Sequence, residues 1–363
     1  MSRKKKKLSI RDFAVADLFC GVGGLTHGFV LENFEVSVGI DFDKSCEYAF
    51  ESNNRSKFVH KDITTLTASE LSSYYPKNKK KILVGCAPCQ PFSSYNKKSE
   101  DVTVAQKEDT KWKLLYSFSR LIEKLNPDIV SMENVPLLVT FNKGKVFNDF
   151  VKSLEKRGYS VSWQIVNAQD YAVPQRRKRL ILLASKLGEI SLIAKTVKNN
   201  DYKTVREAIG FLPPVEDGTT HPSDRLHRAS KLSELNKKRI IAMKEGGFWR
   251  DWDKSLWLKC HKKKSGKNFL SVYGRMKWDD VAPTMTTYCT GLSNGRFGHP
   301  DQNRAITLRE AALLQSFPRN YEFFHPQEPI STPRAARHIG NAVPVKLGVA
   351  IAKSIKRHIE SFG

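Results

Sequence analysis

Short unbroken apolar runs alternate with stretches of helical spacing, and this alternation organises the first half of the chain. "FAVADLF" (13–19) is apolar enough for a strand buried on both faces; it breaks at "CGVGG" and continues into the amphipathic "LTHGFVLENF". "VSVGID" (36–41) is a second run that ends on an acid, a third short strand leads to "HKDIT" (60–64), and "KILVG" (81–85) leads into "CAPCQPFSS". A helix-like stretch "WKLLYSFSRLIEKL" (112–125) precedes the strand "DIVSM" (128–132), which ends at "ENVP". Another helix at about 145–157 precedes the runs "YSVSWQIV" (159–166) and "RLILLAS" (179–185). Strands alternating with helices predict an α/β fold around a mostly parallel sheet. The chemistry-bearing residues fall where strands end, as ligand sites do in open sheets of this kind.

From 186 to 303 the period is lost. Prolines, charges and Trp249, Trp252, Trp257 and Trp278 follow one another without a repeat, as in an irregular, loop-rich recognition domain. Regularity returns with "TLREAALLQSF" (307–317) and "VPVKLGVAIAKSIKRHI" (343–359). No internal repeat is present.

Charge narrows the choice of partner. The 363 residues carry 61 Lys and Arg against 37 Asp and Glu, a net charge of +24, which favours a polyanion and nucleic acid above all. Lysines cluster at 4–7, 79–81 and 262–264, and "QRRKR" stands at 175–179, so a phosphate-tracking surface is expected. No apolar run reaches 18 residues, and the basic start "MSRKKKKLSI" lacks the apolar stretch of a secretory signal. The protein is expected inside the cell and off the membrane. Six cysteines, at 20, 46, 86, 89, 260 and 289, are too sparse for a disulfide framework. "CAPC" has C-x-x-C spacing, but "KCHKK" (259–263) is a weak partner for a zinc site, so no metal is expected.

The candidate chemistry begins at "DLFCGVGGL" (17–25), a glycine turn between strand and helix that lets backbone approach a ligand. Asp41 ends the next strand, placed to accept from ribose hydroxyls; Phe42 beside it could stack on adenine, and Asp62 could accept from the adenine amine. The spacing is G-x-G-G and not the dinucleotide G-x-G-x-x-G, so a ligand with one nucleoside fits better than NAD, and S-adenosylmethionine leads. Cys89 sits between prolines after a parallel strand, Glu133 after the neighbouring strand, and Arg177 and Arg179 could supply donors to the same pocket.

These residues carry a resemblance. "DLFCGVGGL", "APCQPFS", "MENV", "QRRKR", "RAITLREAALLQSFP" and "GNAVP" stand in the order found in the cytosine-5 DNA methyltransferase family, with only 186 to about 280 lacking clear motifs. The resemblance implies an S-adenosylmethionine-dependent, Rossmann-like catalytic domain with a smaller, irregular target-recognition domain. Its expected boundaries are 1–190 for catalysis and cofactor, 191–324 for target recognition and hinge, and 325–363 for a segment returning to the catalytic domain. It implies that Cys89 attacks carbon 6 of a flipped cytosine, that Glu133 holds nitrogen 3 and the exocyclic amine, and that Arg179 contacts the carbonyl, with Arg177 beside it. Phe19, Val22, Gly24 and Pro88 would line the cofactor, with Asp41 on its ribose and Asp62 and Ile63 at its adenine. Leu114, Asn341 and Ala342 would close that pocket. Gln90 and Ser93 of the cysteine loop would meet substrate, and Thr284 of "APTMTT" (282–287) matches the family's Thr-Leu dipeptide, with Met for Leu.

The family usually places a small residue where Cys86 stands, and Cys86 is read as a tolerated small side chain. The implied partner is double-stranded DNA held in a basic cleft between the domains, acted on by a monomer. With no long regulatory extension before the first motif, a bacterial restriction–modification or orphan methylase is expected, any cognate endonuclease acting independently. A transfer-RNA cytosine-5 methylase and a silent DNA-binding relative remain the competing readings.

Overall fold

A computed structural model describes residues 8–88, 113–198, 201–263 and 272–362. By its contacts the chain forms two compact units: residues 1–167, 178–195 and 345–363 make the first, and 168–177 with 196–344 the second. The expected return to the catalytic domain at 325 therefore comes later, at Val345, and a ten-residue excursion before the last strand belongs to the second unit.

In the first unit the expected strands are β1 (Phe13–Leu18), β2 (Val36–Asp41), β3 (Lys57–His60), β4 (Lys80–Gly85), β5 (Ile129–Asn134), β6 (Ser160–Asn167) and β7 (Lys178–Ser185). Among the described residues they form one sheet in the order β3-β2-β1-β4-β5-β7-β6. β1 to β5 run parallel, whereas β7 is antiparallel to both β5 and β6. The order reverses between β1 and β4, so the crevice favoured for ligands lies above the C-terminal ends of those two strands. Every residue of β1 and β5 is buried, as in strands covered on both faces, including the polar Asp17, Ser131, Glu133 and Asn134.

The helices α1 (Gly24–Leu31), α2 (Glu47–Asn54), α3 (Ala68–Ser73), α4 (Lys113–Leu125) and α5 (Lys145–Glu155) complete the run from β1 to β6. α4 buries Leu115, Phe118, Leu121, Ile122 and Leu125, the three- and four-residue spacing of one helix face, against Ala14, Ala16, Leu18, Leu83 and Val130 of the sheet. Each such side chain contributes roughly 1.5–3 kcal/mol by leaving water. The unit closes with a long helix, Val345–Ser361, which packs on α1 at two glycines: a β-carbon on Gly28 would lie 2.4 Å from the carbonyl carbon of Gly348. No side chain fits there.

The second unit has little regular structure, as its lost period predicts. It holds α6 (Val205–Ile209), a two-stranded ribbon of β8 (Thr220–His221) and β9 (Asp224–Arg228), α7 (Glu234–Ile241), α8 (Leu308–Leu314) and α9 (Thr332–Asn341), and the helix Val345–Ser361 of the first unit is α10. Buried charge braces it: Arg304 donates through Nη1 and Nη2 to the two oxygens of Glu310, each at 2.8 Å, and Arg275 donates to the carbonyls of Met243, Ile240, His299 and Gln302. Its aromatic residues pack as a small core of Trp249, Trp252 and Leu292 with Trp257 and Tyr273 against it.

Candidate active site

β1 delivers the chain to the C-terminal edge of the sheet, where it turns through Phe19–Gly23. Phe19, Gly21 and Gly23 have φ of 60°, 51° and 85°. Around Gly21 no heavy atom of the described residues lies within 4 Å of where a β-carbon would stand, so among them the turn presents bare backbone. The Gly21 N–H donates to Asp41 Oδ2 and the Asp43 N–H to Asp41 Oδ1, both at 2.8 Å, which clamps the last carboxylate of β2 against the turn. Burial pushes the Asp41 pKa up, and the backbone N–H groups of Asp43, Gly21 and Phe42 pull it back. Phe42 is 72 % exposed, a ring at a strand end with a face free for stacking.

Asp62 follows β3 and accepts from the Thr64 N–H at 2.8 Å through Oδ1. The Ile63 side chain is buried in the main core, so only its backbone can face a ligand. Val22 is buried, Phe19 packs partly buried on that core, Gly24 opens α1, and Leu114 is half-buried in the first turn of α4. Asn341 and Ala342 end α9 in the second unit.

β4 ends at Gly85 and passes into Cys86, Ala87 and Pro88; Cys89, Gln90 and Ser93 lie outside the described residues. Asn134, buried at the end of β5, donates through Nδ2 to the Ala87 carbonyl at 3.1 Å and so pins the backbone just ahead of Pro88. Next to it Glu133 is 2 % exposed. Its Oε2 accepts from the Cys86 thiol at 2.7 Å, and Arg179 Nε lies 2.8 Å from its Oε1. That Arg179 N–H is not aligned on the oxygen, so Oε1 is ion-paired but has no aligned hydrogen bond among the described residues. The reversed direction of β7 is what makes the meeting possible. Antiparallel pairing sets Glu133 opposite Ile181 and Asn134 opposite Leu180, which brings the start of β7, with Arg179, to the edge where β5 ends. A parallel strand would place Arg179 at the opposite edge.

A glycine turn, a clamped acid and a carboxylate–guanidinium pair thus share one sheet edge. The family model "C-5 cytosine-specific DNA methylase" matches residues 13–357. The chain belongs to that family. It is a cytosine-5 DNA methyltransferase. It is 55% identical over 347 residues to the Type II methylase M.HgiDII of Herpetosiphon aurantiacus, covering 96% of each chain. It is 29% identical to the Type II methyltransferase M.Sau96I of Staphylococcus aureus, over 97% of this chain and 77% of that one. Among solved structures, a prophage-encoded Escherichia coli chain assigned as a DNA modification methyltransferase superposes with a TM-score of 0.71 at 23% identity, covering 95% of this chain and 99% of that one. The Entamoeba histolytica methyltransferase EhMeth gives 0.66 at 16% identity, covering 96% and 99%. At those identities the likeness establishes the shared fold.

Arg177 is buried in the second unit, where Nη1 donates to the Met285 carbonyl at 2.8 Å and Nη2 to the Gly340 carbonyl at 3.1 Å. It precedes β7, the strand that carries Arg179. One expectation for the methyltransferase site needs correction. Cys86 does not merely fill space, because its thiol holds the buried Glu133. Thr284 is exposed and its hydroxyl donates to the Arg176 carbonyl at 2.5 Å, while Gln175 accepts from the Met285 N–H at 2.8 Å; together these hold "APTM" against "PQRR" within the second unit. Asn134 was missed, although its motif was recognised: an Asn directly after the strand-end Glu was the available signal. Of the other cysteines, burial pushes the Cys20 thiol far up and that of Cys289 to about 12, so neither is a thiolate nucleophile.

Beneath the glycine turn, Asp17 is 1 % exposed; Oδ2 accepts from the Thr26 hydroxyl at 2.6 Å and Oδ1 has no partner among the described residues. Burial, partly offset by the Thr26 hydrogen bond and reinforced by Asp41, raises its pKa to about 7. The folded protein therefore holds a proton here that the unfolded chain releases near the ordinary value of 3.8, and stability falls as pH rises through that window. In denaturant melts at pH 5, 6, 7 and 8, the difference between the unsubstituted protein and Asp17→Asn should change by about 1.4 kcal/mol per pH unit from pH 5 to 7 and level off above it. Parallel stability curves would show that Asp17 does not titrate in this window.

Proposed function

We propose that this enzyme transfers methyl from S-adenosylmethionine to carbon 5 of a cytosine flipped out of a specific duplex DNA sequence, with Cys89 as the nucleophile. The observation that carries the reading is Glu133: a buried carboxylate at a strand end, ion-paired to Arg179, with one oxygen lacking an aligned donor among the described residues. A carboxylate left so at the C-terminal edge of the sheet suits a neutral ring that offers an amine, a ring nitrogen and a carbonyl side by side. The bare turn at Gly21, the clamped Asp41 and the exposed Phe42 fit a nucleoside-bearing donor. When bound, S-adenosylmethionine supplies an electrophilic methyl group on a sulfonium.

The chain's own residues make cytosine able to receive it. Carbon 5 is a poor nucleophile until the Cys89 thiolate adds to carbon 6 and moves the ring's electron density onto carbon 5. Glu133 at nitrogen 3 and the exocyclic amine, with Arg179 at the carbonyl, keeps that addition from building a free anion. Once carbon 5 carries the methyl, loss of its proton to solvent lets the Cys89 sulfur leave as thiolate and restores the ring. The curated relatives named Type II methylases favour a role in a restriction–modification system, with a separate endonuclease sharing the target.

The decisive test is transfer of labelled methyl to duplex DNA and mapping of the modified cytosines, which should fall in one short sequence. Label entering transfer RNA instead of DNA would overturn the assignment. Asp41→Ala should weaken S-adenosylmethionine binding by about 1–3 kcal/mol, since it removes a charged acceptor and the clamp on the turn; unchanged calorimetric affinity would take Asp41 out of the site. DNA affinity should fall with salt at a log–log slope of roughly −0.9 per phosphate neutralised. A flat response would mean that the +24 charge does not track phosphates.

A further inference from the structure

The Glu133 carboxylate has two oxygens and two claimants. An arginine and a carboxylate pair most favourably through two parallel N–H donors. Here the pair is held back from that geometry: Arg179 Nε lies 2.8 Å from Oε1 without an aligned hydrogen bond, its Nη1 donates to the Lys178 carbonyl at 2.7 Å, and the Cys86 thiol occupies Oε2 at 2.7 Å. The sulfur must carry its proton, because a thiolate at that distance from a carboxylate would be repelled. Cys86 is itself fixed from both sides, by its own N–H on the Leu18 carbonyl at 3.3 Å and by Asn134 on the next residue's carbonyl. A donor held this firmly sets the rotation of the carboxylate about its last bond.

We infer that Cys86 is a positioning residue for methyl transfer: its thiol holds Glu133 Oε2, stops the carboxylate from turning into a bidentate pair with Arg179, and keeps Oε1 directed at the flipped base. The inference rests on the reading of Glu133 as the group that holds the cytosine. It assigns work to the position where the chain departs from its family's usual small residue.

The test is the single-turnover rate of methyl transfer on duplex DNA for Cys86→Ala, Cys86→Ser and Glu133→Gln, with KM for DNA and for S-adenosylmethionine measured alongside. Cys86→Ala should lose roughly tenfold in rate, the worth of one hydrogen bond to a charged group, with both KM values within about twofold of the unsubstituted enzyme. Cys86→Ser should return most of the rate, because a hydroxyl donates to the same oxygen. An unchanged rate in Cys86→Ala would overturn the inference. So would a loss confined to KM for S-adenosylmethionine, which would place Cys86 against the methyl donor, or an equal loss in the serine variant, which would make it a matter of packing. Glu133→Gln separates the two levels: if it keeps full rate, the reading of Glu133 fails; if it loses rate while Cys86→Ala does not, only the role of Cys86 fails.

Discussion

Cys89→Ser should abolish methyl transfer, with a loss on the order of 10³-fold or more, while the protein still folds and binds DNA. A serine hydroxyl is almost wholly un-ionised at neutral pH and a far weaker nucleophile than a thiolate, so the attack on carbon 6 should fail. The substitution exchanges one atom, sulfur for oxygen, the mildest change that removes the thiol. Duplex DNA with 5-fluorocytosine at the target should trap a covalent complex with the unsubstituted enzyme, because the sulfur can leave only after a proton leaves carbon 5 and fluorine takes that proton's place. Mass spectrometry of the digested adduct should find the cross-link on the peptide at Cys89. A cross-link at Cys86, three residues earlier, would reverse the roles of the two thiols.

Glu133→Gln should lower the rate by about 10²–10⁴-fold, the usual worth of a positioned general acid or base, with little change in KM for DNA. The amide can still meet the exocyclic amine, so the base is held, but unlike a carboxyl group it cannot relay a proton to nitrogen 3 as carbon 6 is attacked. Folding should suffer less than catalysis. Arg179 is 13% exposed and keeps the Lys178 carbonyl, so losing its counter-charge should cost about 1–3 kcal/mol, not the full penalty of a stranded buried ion. A variant that loses rate only in proportion to its folded fraction would make Glu133 a structural residue.

The sheet was legible because β1, β2, β4 and β5 are short, mostly apolar stretches of six residues whose few polar members stand mainly at their ends. Their C-terminal ends could be read too, since glycines and acids follow directly at Gly21, Asp41 and Glu133. The direction of β7 could not: a run such as "RLILLAS" reads the same whichever way it lies, and only pairing with β5 orients it. The contacts of Arg177 could not be read either: it lies two residues from Arg179, but the strand begins between them, at Lys178, and the chain changes compact unit there. The partner of Cys86 lies 47 residues away, beyond any local pattern. The second unit was legible only as irregular, since its bracing comes from buried arginines on distant carbonyls.

The route of the chain through the two units also orders events during synthesis. β1 to β7 can emerge and pair early, but α10, whose Gly348 seats on Gly28 of α1, follows only after residues 196–344 have been made. At ribosomal speeds of roughly 5–20 residues per second, that leaves the α1 face of the sheet uncovered for on the order of ten seconds. The nascent enzyme thus spends that interval with an apolar face open to chaperones, and the arrival of α10 is the step that ends it.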